Sequence, residues 1–247
     1  MRSRALVAVL GILILLGGCG GRKTTATKLP PPPPIATTSS TETTKVEPPS
    51  KPSAELEDEF GPDAKPLLTQ TGMASWYGPP YHNRRGANGE IFDMNQLTAA
   101  HLTFPMNSIV RVTNLKTHHS TVVRITDRGP FVPDRVIDLS VAAAKAIDVW
   151  RPGTAPVRLD LLKTPSELAV PGRWCVQIGA IKNEKEALHL KEKLIHRYRS
   201  AQVLEFRSPV GDYWVRVRVA ADDKRRAEEV ARENSAPEGN VFLVRLD

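Results

Sequence analysis

The chain contains 247 residues and carries a formal net charge of +7. The excess is spread out: residues 72–162 hold ten Lys and Arg against seven Asp and Glu, and residues 173–247 hold fifteen against twelve. Because this excess is small and both signs are interspersed, it argues against a nucleic-acid-binding stripe, and no nucleic acid is expected as a partner.

The first residues predict export and lipid attachment. Arg2 and Arg4 precede twelve apolar residues, 5–16, a run too short to span a bilayer but typical of a signal-peptide core. The run ends in LGGC, which resembles a bacterial lipobox. The resemblance implies a signal peptide at 1–18 and a membrane anchor of acyl chains on Cys19. An ordinary secretory peptide with a chance cysteine is the alternative.

The residues around Cys19 also bear on location and on disulfides. Gly20, where a retention signal would have Asp, implies by resemblance to lipoprotein sorting signals the outer membrane of a Gram-negative cell, on its periplasmic side. With Cys19 acylated, Cys175 has no disulfide partner. Its place between Trp174 and Val176 indicates a small buried hydrophobic residue.

Residues 19–71 predict a disordered tether rich in Pro and Thr. The stretch 20–70 holds 10 of the 21 prolines and few large apolar side chains, so it cannot bury enough surface to fold. Where it is polyproline-like, it would extend by about 3.1 Å per residue. A lipid anchor with that reach suits a target away from the membrane, such as the cell wall; a spacer without a target is the alternative.

Residues 72–162 predict a small β-barrel that carries one short helix. Turn signals separate four β-branched runs, which lie at 108–114, 121–127, 135–140 and 155–162. The first two runs contain the similar sequences VRVTN and VRITD, which fit either an internally symmetric barrel or a hairpin with matched faces. Ser140 is the predicted N-cap of the helix.

A linker at 163–171 leads to a second unit at 172–247. Its strands RWCVQIGA, AQVLEFRS, DYWVRVRVA and NVFLVRLD alternate with predicted helices at 183–198 and 223–235. The order βαββαβ is the split βαβ arrangement, an α+β fold. RNA-binding domains share this order, but their signature KGFGFVxF is missing and the predicted export argues against RNA.

Seven dispersed motifs in the barrel segment resemble the rare lipoprotein A family, which are septal-ring lytic transglycosylases with a six-stranded double-psi β-barrel. In order they are GMASWYG (72–78), ANGEIFD (87–93), LTAAH (97–101), VRVTNL (110–115), DRGPF (127–131), VIDLS (136–140) and GTAPVRLDLL (153–162). Two positions depart from the family pattern: Thr126 replaces a common Asn, and Gly86 replaces a common Thr.

The last 75 residues resemble the SPOR domain. WCVQIGAIKNEKEALHLKEKL is similar to its opening strand and helix, and YWVRVRV to its third strand, without the Gly and Pro that usually follow. This resemblance implies binding to peptidoglycan glycan strands without stem peptides, enriched at the division septum, with divisome proteins as partners. Anchor, tether, barrel and SPOR unit occur in the family's order.

Together these resemblances imply an enzyme that cleaves peptide-free glycan strands and leaves 1,6-anhydro-muramyl ends. The alternative is a non-catalytic peptidoglycan-binding lipoprotein that links the outer membrane to the cell wall. A lytic transglycosylase needs one carboxyl group that protonates the leaving oxygen and then accepts the proton of the C6 hydroxyl. Such a group should be partly desolvated so that it is protonated near neutral pH.

Asp127 satisfies these requirements in sequence, since it ends a strand, precedes Gly129-Pro130 and lies near Phe131. By motif match it is the barrel aspartate of the family and the candidate acid and base. Glu90 and His101 also fall on matching positions and complete the predicted catalytic set: Glu90 either to raise the pKa of the acid through its like charge or to hold the proton itself, and His101 to orient a carboxylate or the sugar. The alternative is that Asp127 only caps its own turn.

Further residues are predicted to contact the glycan. In the barrel they are Trp76, Tyr77, Asp93 and Arg128; in the SPOR unit they are Gln177, Tyr213, Trp214 and Arg216. Aromatic rings stack on sugar faces, although either face of the SPOR sheet could instead pack on the helices. The sequence has no HExxH or paired-Cys spacing, so neither a metal nor another cofactor is expected.

Overall fold

The computed structural model describes residues 59–61, 64–165, 172–234 and 240–247. The predicted signal peptide, Cys19 and most of the tether lie outside these residues, as does most of the predicted linker. No helix in the described part of the chain is long and apolar enough to cross a membrane.

The first domain is a closed barrel of six strands. They are Leu68–Trp76 (β1), Thr98–Ala100 (β2), Ile109–Asn114 (β3), Ser120–Asp127 (β4), Arg135–Leu139 (β5) and Ala155–Lys163 (β6). Around the barrel they follow the order β1-β5-β2-β4-β3-β6. The pairs β1–β5 and β2–β4 are parallel, and the other pairs are antiparallel. This arrangement confirms the predicted six-stranded barrel.

Alternation along the strands fills the barrel with branched side chains. Val110 lies opposite Val123 where β3 pairs with β4, so the two similar runs are the halves of one hairpin. Both valines are fully buried, together with Leu159 and Leu161 of β6. The single helix α1, Val141–Ala146, begins as predicted: the Ser140 hydroxyl accepts a hydrogen bond from the Ala143 amide at 3.1 Å.

The barrel extends on both sides of the predicted 72–162 segment. Strand β1 begins at Leu68, and residues 68–71 pair with residues 158–161 of β6. Strand β6 continues to Lys163. The predicted boundary at 72 is therefore too late, because residues 68–71 contain no β-branched run and so give no strand signal in the sequence.

The second domain has the predicted βαββαβ order. Its strands are Trp174–Ile181 (β7), Gln202–Arg207 (β8), Tyr213–Arg218 (β9) and Asn240–Arg245 (β10), and its helices are Glu184–Arg197 (α2) and Lys224–Glu233 (α3). The antiparallel sheet has the order β10-β7-β9-β8. Both helices pack on one face, with Ala187 and Leu194 of α2 and Val230 of α3 buried against Val176 and Val215.

The other face of this sheet packs on the barrel, at the loop that follows Asp127. The ring of Phe131 lies 5.0 Å from that of Trp214 and 5.5 Å from that of Phe242, measured between centroids. Cys175 is buried in the same cluster as a free cysteine, which confirms its predicted packing role. Two backbone hydrogen bonds join the domains, Arg245 N to Leu102 O and Met106 N to Asp247 O.

Gly179 provides a test of this packing. A methyl group at residue 179 would lie 2.5 Å from the ring of Trp214, a rigid and fully buried neighbour. We expect Gly179→Ala to lower the free energy of unfolding by about 1–3 kcal/mol because the core would be overpacked. Denaturant unfolding measures the effect, with Gly61→Ala as the matched control, since a methyl group there meets no atom within 4 Å. An equal loss in both variants would contradict this packing.

Candidate active site

Asp127 is the last residue of β4, and its side chain is almost completely buried. Its Oδ1 accepts hydrogen bonds from the amides of Ala87 and Arg128 at 3.0 and 2.8 Å. Burial raises the pKa of Asp127 to about 7; these amide donors and the charge of Arg128 oppose the rise, and the charge of Asp138 adds to it. A carboxyl group with this pKa is populated in both protonation states near neutral pH.

Asp138 of β5 is a second buried carboxylate close to Asp127. Ala100 of β2 pairs with Asp127 on one side and with Asp138 on the other. Burial raises the pKa of Asp138 to about 6 against the opposing charge of Arg135, whose Nη2 lies 3.2 Å from Oδ2. The sequence predictions missed this residue. The sequence did contain a signal for it: VIDL places a carboxylate inside an apolar strand, and a carboxylate is rarely buried without a partner.

Glu90 forms a bidentate ion pair with Arg124, with oxygen–nitrogen distances of 2.9 and 2.7 Å. Burial opposes ionisation of Glu90, but the hydrogen bonds and charge of Arg124 outweigh it and hold its pKa below the usual value. Glu90 is therefore ionised at neutral pH and cannot carry the proton that a general acid donates. The pair fixes the loop over β4 instead.

His101 does not contact the Asp127 carboxylate. Its Nδ1 accepts the amide hydrogen bonds of Thr103 and Phe104 at 3.1 and 2.9 Å, and its Nε2 lies 3.2 Å from Oε1 of Gln70. Burial and the charge of Arg128 lower the pKa of His101 to about 3, so the imidazole is neutral. Since Nδ1 accepts, the ring hydrogen is on Nε2, so Nδ1 organises the loop after β2 and Nε2 links His101 to β1.

Two cavities adjoin Asp127, and they differ greatly in size. The cavity on the Glu90 side, which Asp93 and Thr98 also line, has a volume of about 10 Å³, close to that needed for one water molecule. The other has a volume of about 300 Å³, at the low end for small-molecule sites. It is lined by Tyr81, Arg84, Arg85, Gly86, Phe92, Asp127 and Pro209. Size therefore favours this second side for a sugar ring.

The predicted aromatic contacts lie around rather than inside the larger cavity. Trp76 packs on Trp150 at a centroid distance of 4.1 Å beside the barrel core. Tyr77 is buried and stacks on Phe92 at 4.4 Å. Of the aromatic side chains in this part of the barrel, Phe92 and Tyr81 line the cavity. The motif matches did not extend to Tyr81 or to the neighbouring arginines, so the sequence predictions missed them.

The two polar residues predicted to bind substrate have different surroundings. Asp93 borders the small cavity, and its Oδ1 accepts the amide hydrogen bond of Asn95 at 2.9 Å. Arg128 is 1% exposed, and its guanidinium donates to three backbone carbonyls, at 3.0, 2.8 and 2.7 Å. These carbonyls belong to His101, Phe104 and Asp247. Arg128 thus joins the two domains and does not line either cavity.

The four residues predicted for the SPOR sheet are divided between its faces. Gln177, Trp214 and Arg216 lie on the face that packs against the barrel, and all three are buried. Arg216 Nη2 donates to Gln177 Oε1 at 2.8 Å. Tyr213 lies on the helix side, where its hydroxyl is 3.4 Å from Glu184 Oε2. A glycan can reach the first three side chains only after the domains separate.

A metal site is not apparent in the described ranges, where no group of three or more His, Cys, Asp or Glu side chains could hold an ion.

Comparison with known proteins identifies both domains. Residues 69–159 match the family model described as "Lytic transglycolase", and residues 170–241 match the SPOR domain model. The chain is 58% identical over 151 residues to "Endolytic peptidoglycan transglycosylase RlpA" of Helicobacter pylori, covering 50% of this chain and 48% of that protein. The protein of the same name in Campylobacter jejuni is 43% identical over 139 residues, covering 47% and 50%.

The Vibrio cholerae protein of that name is 53% identical over 95 residues, covering 38% of this chain and 36% of its own length. The chain thus aligns with half, or less, of the length of these relatives. The two matched domains occur in the same order as the barrel and the sheet of the structure. The chain thus combines a barrel that matches the lytic transglycolase model with a following domain that matches the SPOR model, and it is similar in sequence to the RlpA proteins of these bacteria.

Proposed function

We propose that the protein is a lytic transglycosylase that cleaves peptide-free peptidoglycan strands and leaves 1,6-anhydro-muramyl ends. One observation carries the proposal: a carboxyl group with a pKa near 7, that of Asp127, adjoins a cavity of about 300 Å³. The same activity is in the names of the relatives, which supports the proposal for the barrel.

Asp127 can supply both proton transfers of this reaction. In the first, its protonated carboxyl gives its proton to the oxygen between two sugars, and the bond from C1 to that oxygen breaks. In the second, the resulting carboxylate takes the proton of the C6 hydroxyl as the C6 oxygen bonds to C1. The carboxyl group is thereby restored, and no water is consumed. Since amides hold Oδ1, we assign the transferred proton to Oδ2.

Only one acid is needed, which agrees with the state of the other predicted groups. Glu90 is ionised and paired with Arg124, and His101 is neutral and engaged with the loop after β2. We assign both a positioning role. Asp138 acts through charge, because its ionised form disfavours ionisation of Asp127 and so keeps the acid protonated at higher pH.

Glu90→Gln separates positioning from proton transfer. We expect cleavage to fall about 10-fold, because the loop loses its ion pair, while the pH dependence keeps a group near pH 7. Steady-state rates across pH measure both quantities, with Asp93→Asn as a control that removes another carboxylate of the small cavity. Loss of the group near pH 7 in Glu90→Gln would show that Glu90, and not Asp127, is the acid.

The decisive experiment incubates the mature chain with soluble glycan strands from which an amidase has removed the stem peptides. Mass spectrometry should find products that end in 1,6-anhydro-muramic acid. Products with reducing ends would indicate hydrolysis instead. Binding of the strands without any cleavage would support the alternative, a non-catalytic lipoprotein that connects the outer membrane and the cell wall.

Location is part of the same proposal. The SPOR domain and the relatives support association with the cell wall and the septum. We propose in addition a signal peptide at 1–18, a palmitate-type acyl anchor on Cys19, the outer membrane facing the periplasm, and divisome partners. Incorporation of an alkyne-labelled fatty acid by the full chain, lost in Cys19→Ser, tests the anchor, and fractionation tests the membrane.

A further inference from the structure

The SPOR domain contributes one wall of the cavity at Asp127. Its β8–β9 hairpin brings Pro209 to the cavity that barrel residues Tyr81 and Arg84 also line. Next to this cavity of about 300 Å³ lies another of about 460 Å³, lined by Arg84, Arg207, Ser208, Pro209, Val210 and Gly211. Because Arg84 and Pro209 line both cavities, they form one groove that runs from Asp127 along the junction of the two domains.

This groove is positively charged. Arg84, Arg85 and Arg207 line it with exposed side chains, and among the described residues that line it Asp127 is the only carboxylate. Arg85 donates to the Gly89 carbonyl, and Arg207 lies over the Tyr213 ring at 5.6 Å. In the described part of the chain, none of the three arginines forms an ion pair with a carboxylate. The nearby hairpin carboxylate, Asp212, is paired with Lys182 at 2.5 Å.

Guanidinium groups recognise carboxylates through paired, charge-assisted hydrogen bonds. A glycan strand without stem peptides presents such groups regularly, because each muramyl residue then ends in a free lactyl carboxylate. A stem peptide converts that carboxylate into an amide, which removes its charge and adds bulk. The cations of the groove therefore complement a carboxylate held directly on the lactyl group of the sugar, which the peptide-free strand presents and the peptide-bearing strand replaces by an amide and a longer chain.

We propose that Arg84 of the barrel and Arg207 of the SPOR hairpin form a joint subsite for the free muramyl carboxylates of the strand held at Asp127. This inference rests on the proposed function. The two domains then select the substrate together. The barrel supplies the acid and one cation, and the SPOR hairpin supplies the second cation.

The test compares two forms of the same peptide-free strands. One keeps its carboxylates; in the other, carbodiimide coupling converts them to methylamides. The mature chain and the double variant Arg84→Gln/Arg207→Gln are assayed for binding and for KM on both. The matched control is Arg151→Gln/Arg199→Gln, which removes the same charge at exposed sites, one in each domain, that do not line the groove.

We expect the wild type to bind the strands with free carboxylates more tightly than the methylamide strands. In the groove variant this ratio of affinities should fall about 5- to 10-fold, a modest change because each exposed ion pair contributes little. The control should keep it, and high salt should reduce it. Three results would overturn the subsite: the wild type binds both strand forms equally, it binds neither, or the groove variant keeps the full preference. If the wild type binds selectively but never cleaves, the subsite stands and the proposed enzymatic function fails.

Discussion

Asp127→Asn should abolish the formation of anhydro ends while leaving the barrel folded. Asparagine retains the size of the side chain and can still accept the two amide hydrogen bonds that Oδ1 accepts. It cannot donate and recover a proton. Because acid–base groups typically contribute 10²- to 10⁴-fold, we expect cleavage to fall by about 10³-fold or more, with strand binding retained. Timed release of anhydro ends and a binding isotherm measure the two effects.

The same substitution should stabilise the protein at high pH. Below the usual pKa of 3.8, Asp127 is protonated in both the folded and the unfolded chain, so folding does not bury a charge at this position. As pH rises towards the folded pKa of about 7, only the unfolded chain ionises, so stability is lost. The difference between these pKa values corresponds to roughly 4 kcal/mol above pH 7.

Asparagine avoids this loss, so the variant should be the more stable protein at pH 8 and nearly equal to the wild type near pH 3. Urea unfolding at both pH values measures the gain. Asp134→Asn is the matched control, because this exposed residue has a φ of 65°, which asparagine tolerates. A variant that still cleaves, or that gains no stability at pH 8, would contradict the assignment of Asp127 as a buried acid.

Local patterns were sufficient to predict most of the fold. The four β-branched runs became β3 to β6, and Ser140 caps α1 as expected. Strands β1 and β2 give weaker signals. The first has the sequence LTQTGMASW, in which a glycine interrupts the apolar alternation, and the second has three residues, too few to show a period. Their pairing depends on partners far along the chain.

The site was predictable to the extent that it depends on position within a strand. Asp127 ends β4, and a strand end followed by Gly-Pro fixes a side chain at the mouth of a barrel. The roles of His101 and Arg128 depend instead on Gln70 and Asp247, which are 31 and 119 residues away in sequence. No local pattern indicates where those residues lie, so orientation of the two side chains could not be predicted.

The contact between the two domains could not be predicted from the sequence for a related reason. Cys175, Gln177, Trp214 and Arg216 alternate as a half-polar strand face should, and this pattern fits a face open to glycan. Contact with Phe131 buries that face. A sequence shows that a face is amphipathic, but it does not show which apolar surface elsewhere in the chain will cover it.

Replacement of Arg128 tests whether this junction holds the active-site loop. Arg128→Met keeps much of the side-chain volume but leaves the carbonyls of His101, Phe104 and Asp247 without their donor. Unpaired buried polar groups cost about 1–3 kcal/mol each, and partial relaxation recovers some of this cost. We therefore expect unfolding free energy to fall by about 3–5 kcal/mol, as for other broken buried charge networks. Denaturant midpoints measure the loss.

Labelling of Cys175 distinguishes a structural role for Arg128 from contact with substrate. Burial in the domain junction raises the pKa of this thiol to about 11, so it should react slowly with a thiol reagent in the intact protein. In a Cys19→Ser background it is the only cysteine of the chain.

Arg128→Met should speed the labelling of Cys175 under native conditions, because the junction opens more often. Arg124→Met, which removes a half-buried arginine of β4 that does not reach Asp247, should not. Unchanged labelling and unfolding midpoint, together with a raised KM, would instead assign Arg128 to the substrate.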